Sequence, residues 1–456
     1  MTQSDTGGPV GVADLSPLAR RREQRAWYFY DWANSAYVTS VTTVLFAPYL
    51  IAVAREAAVD NRVQLLGFLP VAPGALPSYI ITFSTLLSAI LLPPLGALVD
   101  RTARKRQFLA GFAWTGAAAA SLVFFATDGN WQIGAVAVIV ANLCLGASVV
   151  VNDSILCFVA EEEERDRVSS RGWAFGYLGG GLLLAINLGM VLGHESLGVS
   201  EGFAVRLSML SAAVWWAGFT LVPFLRLRDY PPTHVVPEEG SLLRQSFGQL
   251  WTTLREIRNY PMTLTFLLAY LFFNDGIQTV IASSSTYGAE ELKFGQSTLI
   301  ATILLVQFVG IVGALVFGKA AERYGGRRVI LAGIGVWMAI VTVALFLPER
   351  QVAPFLVLAV AIGLVLGGTQ ALARSFFSLL IPQGKEAEYF SFYHAMERGT
   401  SWFGTLTFGV VYQLTDSYRP AIFALIVFFV LGGALLWKVD VRRGIREAGN
   451  TPPSVV

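Results

Sequence analysis

Charge is scarce in this chain: only 14% of its 456 residues are Asp, Glu, Lys or Arg. Soluble globular domains carry about 25%, and with 54% hydrophobic residues and a mean hydropathy of +0.57 that class is excluded. Histidine and cysteine are nearly missing as well. His194, His234 and His394 lie far apart without metal-ligand spacing, and Cys144 and Cys157 are the only cysteines. A metal cluster and a disulfide framework are therefore both excluded, and the cysteines read as packing residues. No Ser or Cys nucleophile motif is present. Gly313 to Lys319 approaches a phosphate-binding loop, but Ala320 stands where Ser or Thr is required, inside an apolar stretch. An enzyme, a bound cofactor and a nucleic-acid partner are accordingly not expected. The first 25 residues hold no apolar core, so they are not a secretory signal peptide, and the first span itself must direct insertion.

Long apolar runs fill most of the chain. A helix needs about 20 apolar residues to cross the hydrocarbon core, and such runs occur near 26–54, 78–98, 107–127, 131–152, 172–192, 205–225, 262–283, 297–317, 329–347, 353–373, 395–414 and 420–438. These twelve candidates, numbered here as spans 1 to 12, predict an all-α membrane protein of two six-helix bundles. The expected organisation is an N-terminal segment 1–25, a bundle 26–226, a linker 227–260, a second bundle 261–438 and a tail 439–456. Pro231, Pro232 and Pro237 open the linker, and Leu242 to Ile257 reads as an amphipathic helix on the membrane surface. With the N-terminus inside, inner segments hold about 26 of the 33 Lys and Arg, whereas outer loops hold about six. Positive charge accumulates on the cytoplasmic side, so both termini are expected there. The only glycosylation sequon, Asn152-Asp153-Ser154, then falls at the inner end of span 4 and says nothing about compartment.

Two acids interrupt these runs, and they match. Asp31 lies in WYFYDWANSAY and Asp275 in LFFNDGIQTVI; Pro17 and Pro261 each stand 14 residues before their acid. An amide follows three residues later, Asn34 or Gln278, and then a hydroxyl, Ser35 or Thr279. Further repeats keep the same order. Gly96 to Arg106 and Gly318 to Arg328 both read Gly, three residues, acid, Arg, basic cluster. Spans 5 and 11 open with Arg171-Gly172 and Arg398-Gly399, and Gly146 precedes Ser154 by eight residues as Gly367 precedes Ser375. Parallel halves repeated about an axis along the membrane normal form a transporter architecture with its solute site between the repeats.

The Gly96 to Arg106 and Gly318 to Arg328 segments resemble the signature loops of the major facilitator superfamily. Within it, YDWANSAY at 30–37, RGWAFGYLGGG at 171–181, YLFFNDGIQTV at 270–280 and GGTQALARS at 367–375 resemble the autophagy-associated vacuole-effluxer family and its bacterial relatives. The resemblance covers nearly the whole chain. It implies a multi-pass permease working by alternating access, with amino-acid efflux the activity attributed to fungal members.

A carboxylate inside a span costs roughly 2.5–3.5 kcal/mol on insertion scales, so two of them call for a function. Asp31, Asn34 and Ser35 share one face of span 1, and Asn274, Asp275, Gln278 and Thr279 are arranged similarly on span 7. Acids, amides and hydroxyls suit a zwitterionic or polyhydroxylated solute, and either acid is a candidate carrier of a coupling proton. Asp31 is only six residues, roughly 9 Å, beyond Arg25, whereas Asp275 is about 20 Å beyond Pro261. Asp275 is therefore the expected deeper group and Asp31 the one nearer the inner mouth. Arg374, Glu397 and Arg398 fit an inner gate. The superfamily resemblance implies that span 2 meets span 11 and span 8 meets span 5. Asp100 is then expected to meet Arg398 and the start of span 11, and Glu322 to meet Arg171, with Arg101, Arg104 and Arg323 in the same gates. The expected partners are a small solute, membrane lipids and a proton, for a monomer in a bacterial cytoplasmic membrane. The rival readings are a lipid or lysolipid flippase, and a non-transporting sensor on a transporter fold.

Overall fold

The computed structural model describes residues 16–65, 67–230, 255–399 and 402–456. The N-terminal segment up to residue 15, residues 231–254 of the linker with His234 and most of the amphipathic stretch, and Thr400 with Ser401 lie outside the described residues.

Helices α1 (Pro17–Glu56), α2 (Leu76–Asp100), α3 (Lys105–Ser121), α4 (Trp131–Val159), α5 (Arg165–Leu192) and α6 (Glu201–Arg226) build the first half. The second half holds α7 (Pro261–Thr286), α8 (Gln296–Tyr324), α9 (Gly326–Ala344), α10 (Val352–Leu379), α11 (Glu386–Gly399), α12 (Trp402–Thr415), α13 (Tyr418–Ala424) and α14 (Ile426–Lys438). A short helix, α15 (Val441–Glu447), follows in the tail. Among the described residues eleven helices are long and apolar enough to cross a membrane, with α13 and α14 counted together. A two-stranded hairpin of β1 (Val63–Leu65) and β2 (Leu69–Val71) lies between α1 and α2.

Helix ends follow local chemistry. Ser16 accepts a hydrogen bond from the Ala19 amide and Pro17 occupies the first turn, so α1 starts nine residues before its apolar stretch. The segment expected as a separate N-terminal tail is thus helical from Pro17, and Glu23 is buried against Arg228 at 2.5 Å and Tyr230 at 3.2 Å. Residues Val38–Leu45 of α1 are π-helical, and Pro93 and Pro94 interrupt the ladder of α2. Gly325, at φ +86°, makes the turn between α8 and α9.

The eleventh predicted span is the clearest difference. The apolar run begins at 395, yet α11 begins at Glu386. Glu386, Glu388, His394, Glu397 and Arg398 depress hydropathy there, but Glu386, Glu388 and His394 are buried. His394 faces Asp153, and the first amides of α11 face Asp100, both in the other half, which a hydropathy window cannot see. The surface is inverted relative to a soluble protein. Tyr79, Phe83 and Ile90 on α2, and Val312 and Val316 on α8, are exposed and form part of a lipid-facing belt.

The halves meet through α2 with α11, α5 with α8 and α10, and α4 with α11. Small residues permit the approach. A Cβ on Gly96 of α2 would strike the Ala387 carbonyl of α11, and one on Gly318 of α8 would strike Ser170 of α5.

Candidate functional site

Five ionisable side chains from four helices meet between the halves, at the end of the bundle that carries the basic turns. Arg374 of α10 is their centre. Its Nη2 donates to Asp31 Oδ2 at 3.0 Å and its Nη1 to Asp153 Oδ1 of α4 at 3.0 Å. Nε donates to Ser169 Oγ and Nη2 to the Ser169 carbonyl of α5, both at 3.0 Å. The guanidinium lies 4.7 Å from the ring centroid of Trp27 and 5.6 Å from that of Trp173. Aromatic faces suit this cation because they replace water without discarding its attraction.

The chain of contacts continues. His394 Nε2 faces Asp153 Oδ2 and its Nδ1 faces Glu397 Oε2, each at 2.9 Å. Both carboxylates are satisfied only when both ring nitrogens carry hydrogen. Gln278 Nε2 of α7 then donates to Glu397 Oε1 at 3.2 Å. Asn152 Nδ2 donates to Asp31 Oδ1 at 3.3 Å, and Trp27 Nε1 donates to the Asn152 carbonyl at 2.7 Å. One polar path therefore runs from Asp31 on the first helix to Gln278 on the seventh, crossing between the halves at Arg374 and His394.

Helical spacing delivers these groups. Trp27 and Asp31 are four residues apart, and His394 and Glu397 three, so each pair shares a face. Gly172 of α5 opens the space: a Cβ there would strike Asp31 Oδ2 and stand 3.0 Å from Arg374 Nη2. Gly176 does the same beside Ser35. Further cross-half bonds lie nearby. Arg165 Nη1 donates to the Ser378 carbonyl at 2.9 Å, Ser169 Oγ to the Ala371 carbonyl at 2.7 Å, and Ser375 Oγ to Asp166 Oδ1 at 2.5 Å.

Asp275 has other surroundings. Its Oδ2 accepts from the Gly404 amide of α12 at 2.8 Å, while its Oδ1 and the neighbouring Thr279 Oγ1 are buried without a partner among the described residues. Asn274 Oδ1 accepts from Gln370 Nε2 at 2.7 Å. Asn34 donates to the Tyr30 carbonyl of its own helix at 2.8 Å, and Ser35 is half-buried against α5. Gln307 Nε2 donates to Thr39 Oγ1 at 2.7 Å, joining α8 to the π-helical part of α1.

The arginine partner is corrected in both expected gate pairs, while Asp100 does meet the start of α11. Asp100 binds Lys105 and accepts from the first amides of α11, Ala387 N at 3.0 Å and Glu388 N at 2.8 Å. Arg398 lies about three turns further along α11 and is not its partner. The cause is the early start of α11, which moves its positive end to Glu386. Glu322 faces Arg167 at 3.7 Å, one turn before Arg171, while Arg171 is exposed beside Tyr28. Arg101 is half-buried and Arg104 exposed in the turn after α2, and Arg323 lies over the Tyr324 ring.

Asp153 and His394 were the residues that local pattern did not single out. The signal present was an ionisable residue within an apolar run, VVVNDSILCFV, since α4 extends to Val159, beyond the expected end at 152.

Comparison with known proteins agrees with this architecture. Residues 19–449 match the family described as Vacuole effluxer Atg22 like. The chain is 32% identical over 417 residues to "Uncharacterized MFS-type transporter YxiO" of Bacillus subtilis (strain 168), covering 91% of this chain and 94% of that protein. It is 26% identical to "Autophagy-related protein 22" of Yarrowia lipolytica, covering 82% and 76%. Among solved structures, the transporter FucP of the major facilitator superfamily in the outward conformation superposes with a TM-score of 0.66 at 14% identity, covering 91% of this chain and 98% of that one. The matched length, the fold and the contacts between its halves agree, and the chain belongs to the Atg22-like vacuole-effluxer family of the major facilitator superfamily.

Proposed function

We propose that this protein exports a small polar solute, an amino acid, through a bacterial cytoplasmic membrane by proton-coupled alternating access. Twelve spans and two cytoplasmic termini complete the reading, with α11 and α12 together forming span 11. The observation that carries it is the path from Asp31 through Arg374, Asp153, His394 and Glu397 to Gln278, because those contacts tie the halves together at the end that carries the basic turns. Such a lock must break for the halves to rock.

The chemistry of the lock suits a proton. Protonating Asp31 or Asp153 removes an acceptor from Arg374 and weakens the tie between the halves. Asp275, with one carboxylate oxygen left without a partner, is the second acid on the pathway. The family description, vacuole effluxer, supports efflux, and the mixture of acids and amides supports a zwitterionic cargo.

The test is counterflow of a labelled neutral amino-acid mixture in proteoliposomes at several pH values, comparing the parent with Asp275→Asn. Exchange in the parent that becomes pH-independent or vanishes in the variant is the expected result. A well-folded parent without exchange would discard the amino-acid reading.

A further inference from the structure

Two arginines lie within the second half's contribution to the interface, and their coordination differs completely. Arg374 spends its guanidinium on Asp31, Asp153 and Ser169. The guanidinium of Arg398 on α11, by contrast, makes no hydrogen bond or ion pair among the described residues, and the residue is half-buried. Its electrostatic surroundings are Glu397, Tyr37 and Tyr270. Glu397 is the adjacent residue on the helix and already serves His394 and Gln278.

The position is central. Tyr37 belongs to α1 and Tyr270 to α7, and the guanidinium carbon is 3.5 Å from where a Cβ on Gly146 of α4 would lie. Helices of both halves thus surround a cation whose five N–H donors have no acceptor among the described residues. Charged groups at this depth pair with one another or face a cavity. A planar fork of donors is matched bidentately by a carboxylate.

We infer that Arg398 receives the carboxylate of the transported solute. This rests on the reading of the protein as an exporter of small polar solutes and adds a requirement to it: the cargo bears a carboxylate. The opposite end of an amino acid has a place too. Asp275 is five residues beyond Tyr270 on α7, roughly 7.5 Å at 1.5 Å per residue. Gly404, which holds its Oδ2, is six residues beyond Arg398. The Oδ1 of Asp275, without a partner among the described residues, therefore lies further along α7 and beside α12, where an ammonium would complete it. Occupancy of Arg398 also reaches the lock directly, because Glu397 is the next residue and one of its members.

Thermal melting of the purified full chain tests this with three probes: L-leucine, L-leucinamide, which lacks the carboxylate, and 4-methylpentanoate, which lacks the amine. L-Leucine is expected to raise the Tm of the parent, with L-leucinamide needing at least about 30-fold more for an equal shift. Arg398→Gln should erase that preference, so that the two probes become equal. Arg398→Lys, which keeps the charge without the fork, should retain part of it and guards against loss of fold. Equal action of L-leucine and L-leucinamide on the parent would overturn the inference, as would a preference surviving in Arg398→Gln. A parent that responds to 4-methylpentanoate but not to L-leucine would uphold Arg398 and sink the amino-acid reading. No response to any probe would sink both.

Discussion

Asp31 and Asp275 occupy matching places in the two halves, yet one is neutralised by an arginine of the opposite half and the other, among the described residues, is held only by a backbone amide. The repeat explains why. Counting from Gly146 and Gly367, Asp153 of α4 and Arg374 of α10 fall at equivalent positions. Residues related by the axis between the halves meet across it, and these two do, at 3.0 Å. One is an acid and the other a base, so the pair attracts. The same substitution breaks the symmetry around it. Arg374 serves Asp31, whereas its twin, Asp153, is an acid and has nothing to offer Asp275. Opposite charges at these two equivalent positions thus make one acid part of a lock and leave the other open.

The largest effect should come from breaking the axial pair. Arg374→Ala leaves Asp31 buried without a counter-ion and Asp153 with His394 alone, and a loss of about 3–5 kcal/mol is expected, read as a lower Tm. Cysteine labelling at the basic end should rise at the same time. Exchanging the charges, Asp153→Arg with Arg374→Asp, keeps the axial attraction but turns an acid toward Asp31. Its Tm should fall between those of the parent and Arg374→Ala, and a melt as low as that of the single variant would mean that the axial pair is not the main contributor. Asp100→Ala removes the acceptor for the first amides of α11 and strands Lys105; a cost of about 1–3 kcal/mol is expected, with faster labelling of the inner mouth.

Smaller effects sharpen the contrast. Asp275→Asn can still accept from the Gly404 amide, so its stability should change by less than about 1 kcal/mol while transport is altered. A large loss of stability would show a structural role for this acid. Glu322→Gln touches only a partly exposed pair, worth no more than about 1 kcal/mol. Little change in melting or labelling is expected there, in contrast to Asp100, its counterpart in the repeat.

Much of the fold was legible because hydrophobic run length and the repeat are local properties. The first ten spans appear as helices with shifted ends. Span 11 was misplaced because its first turns are polar in sequence yet buried against the other half, where Asp100 accepts from the first amides and Asp153 faces His394. The acids Asp31 and Asp275 stood out by their repeated surroundings. Arg374 was noticed, but not its partners, which lie 343 and 221 residues away in sequence. Asp153 looked like the centre of a sequon near a helix end, and only the length of α4 makes it intramembrane.

The α11 terminus has one more consequence. Its first amides are served by Asp100 of the other half, in a place closed to bulk solvent. When the halves part, those amides and that carboxylate must each be wetted. Dissolved ions, which screen exposed charges over about 10 Å at 0.1 M, reach such a contact poorly. The balance between the closed and open inner mouth should therefore respond weakly to ionic strength and strongly to water activity, so that excluded osmolytes such as sucrose hold this protein shut.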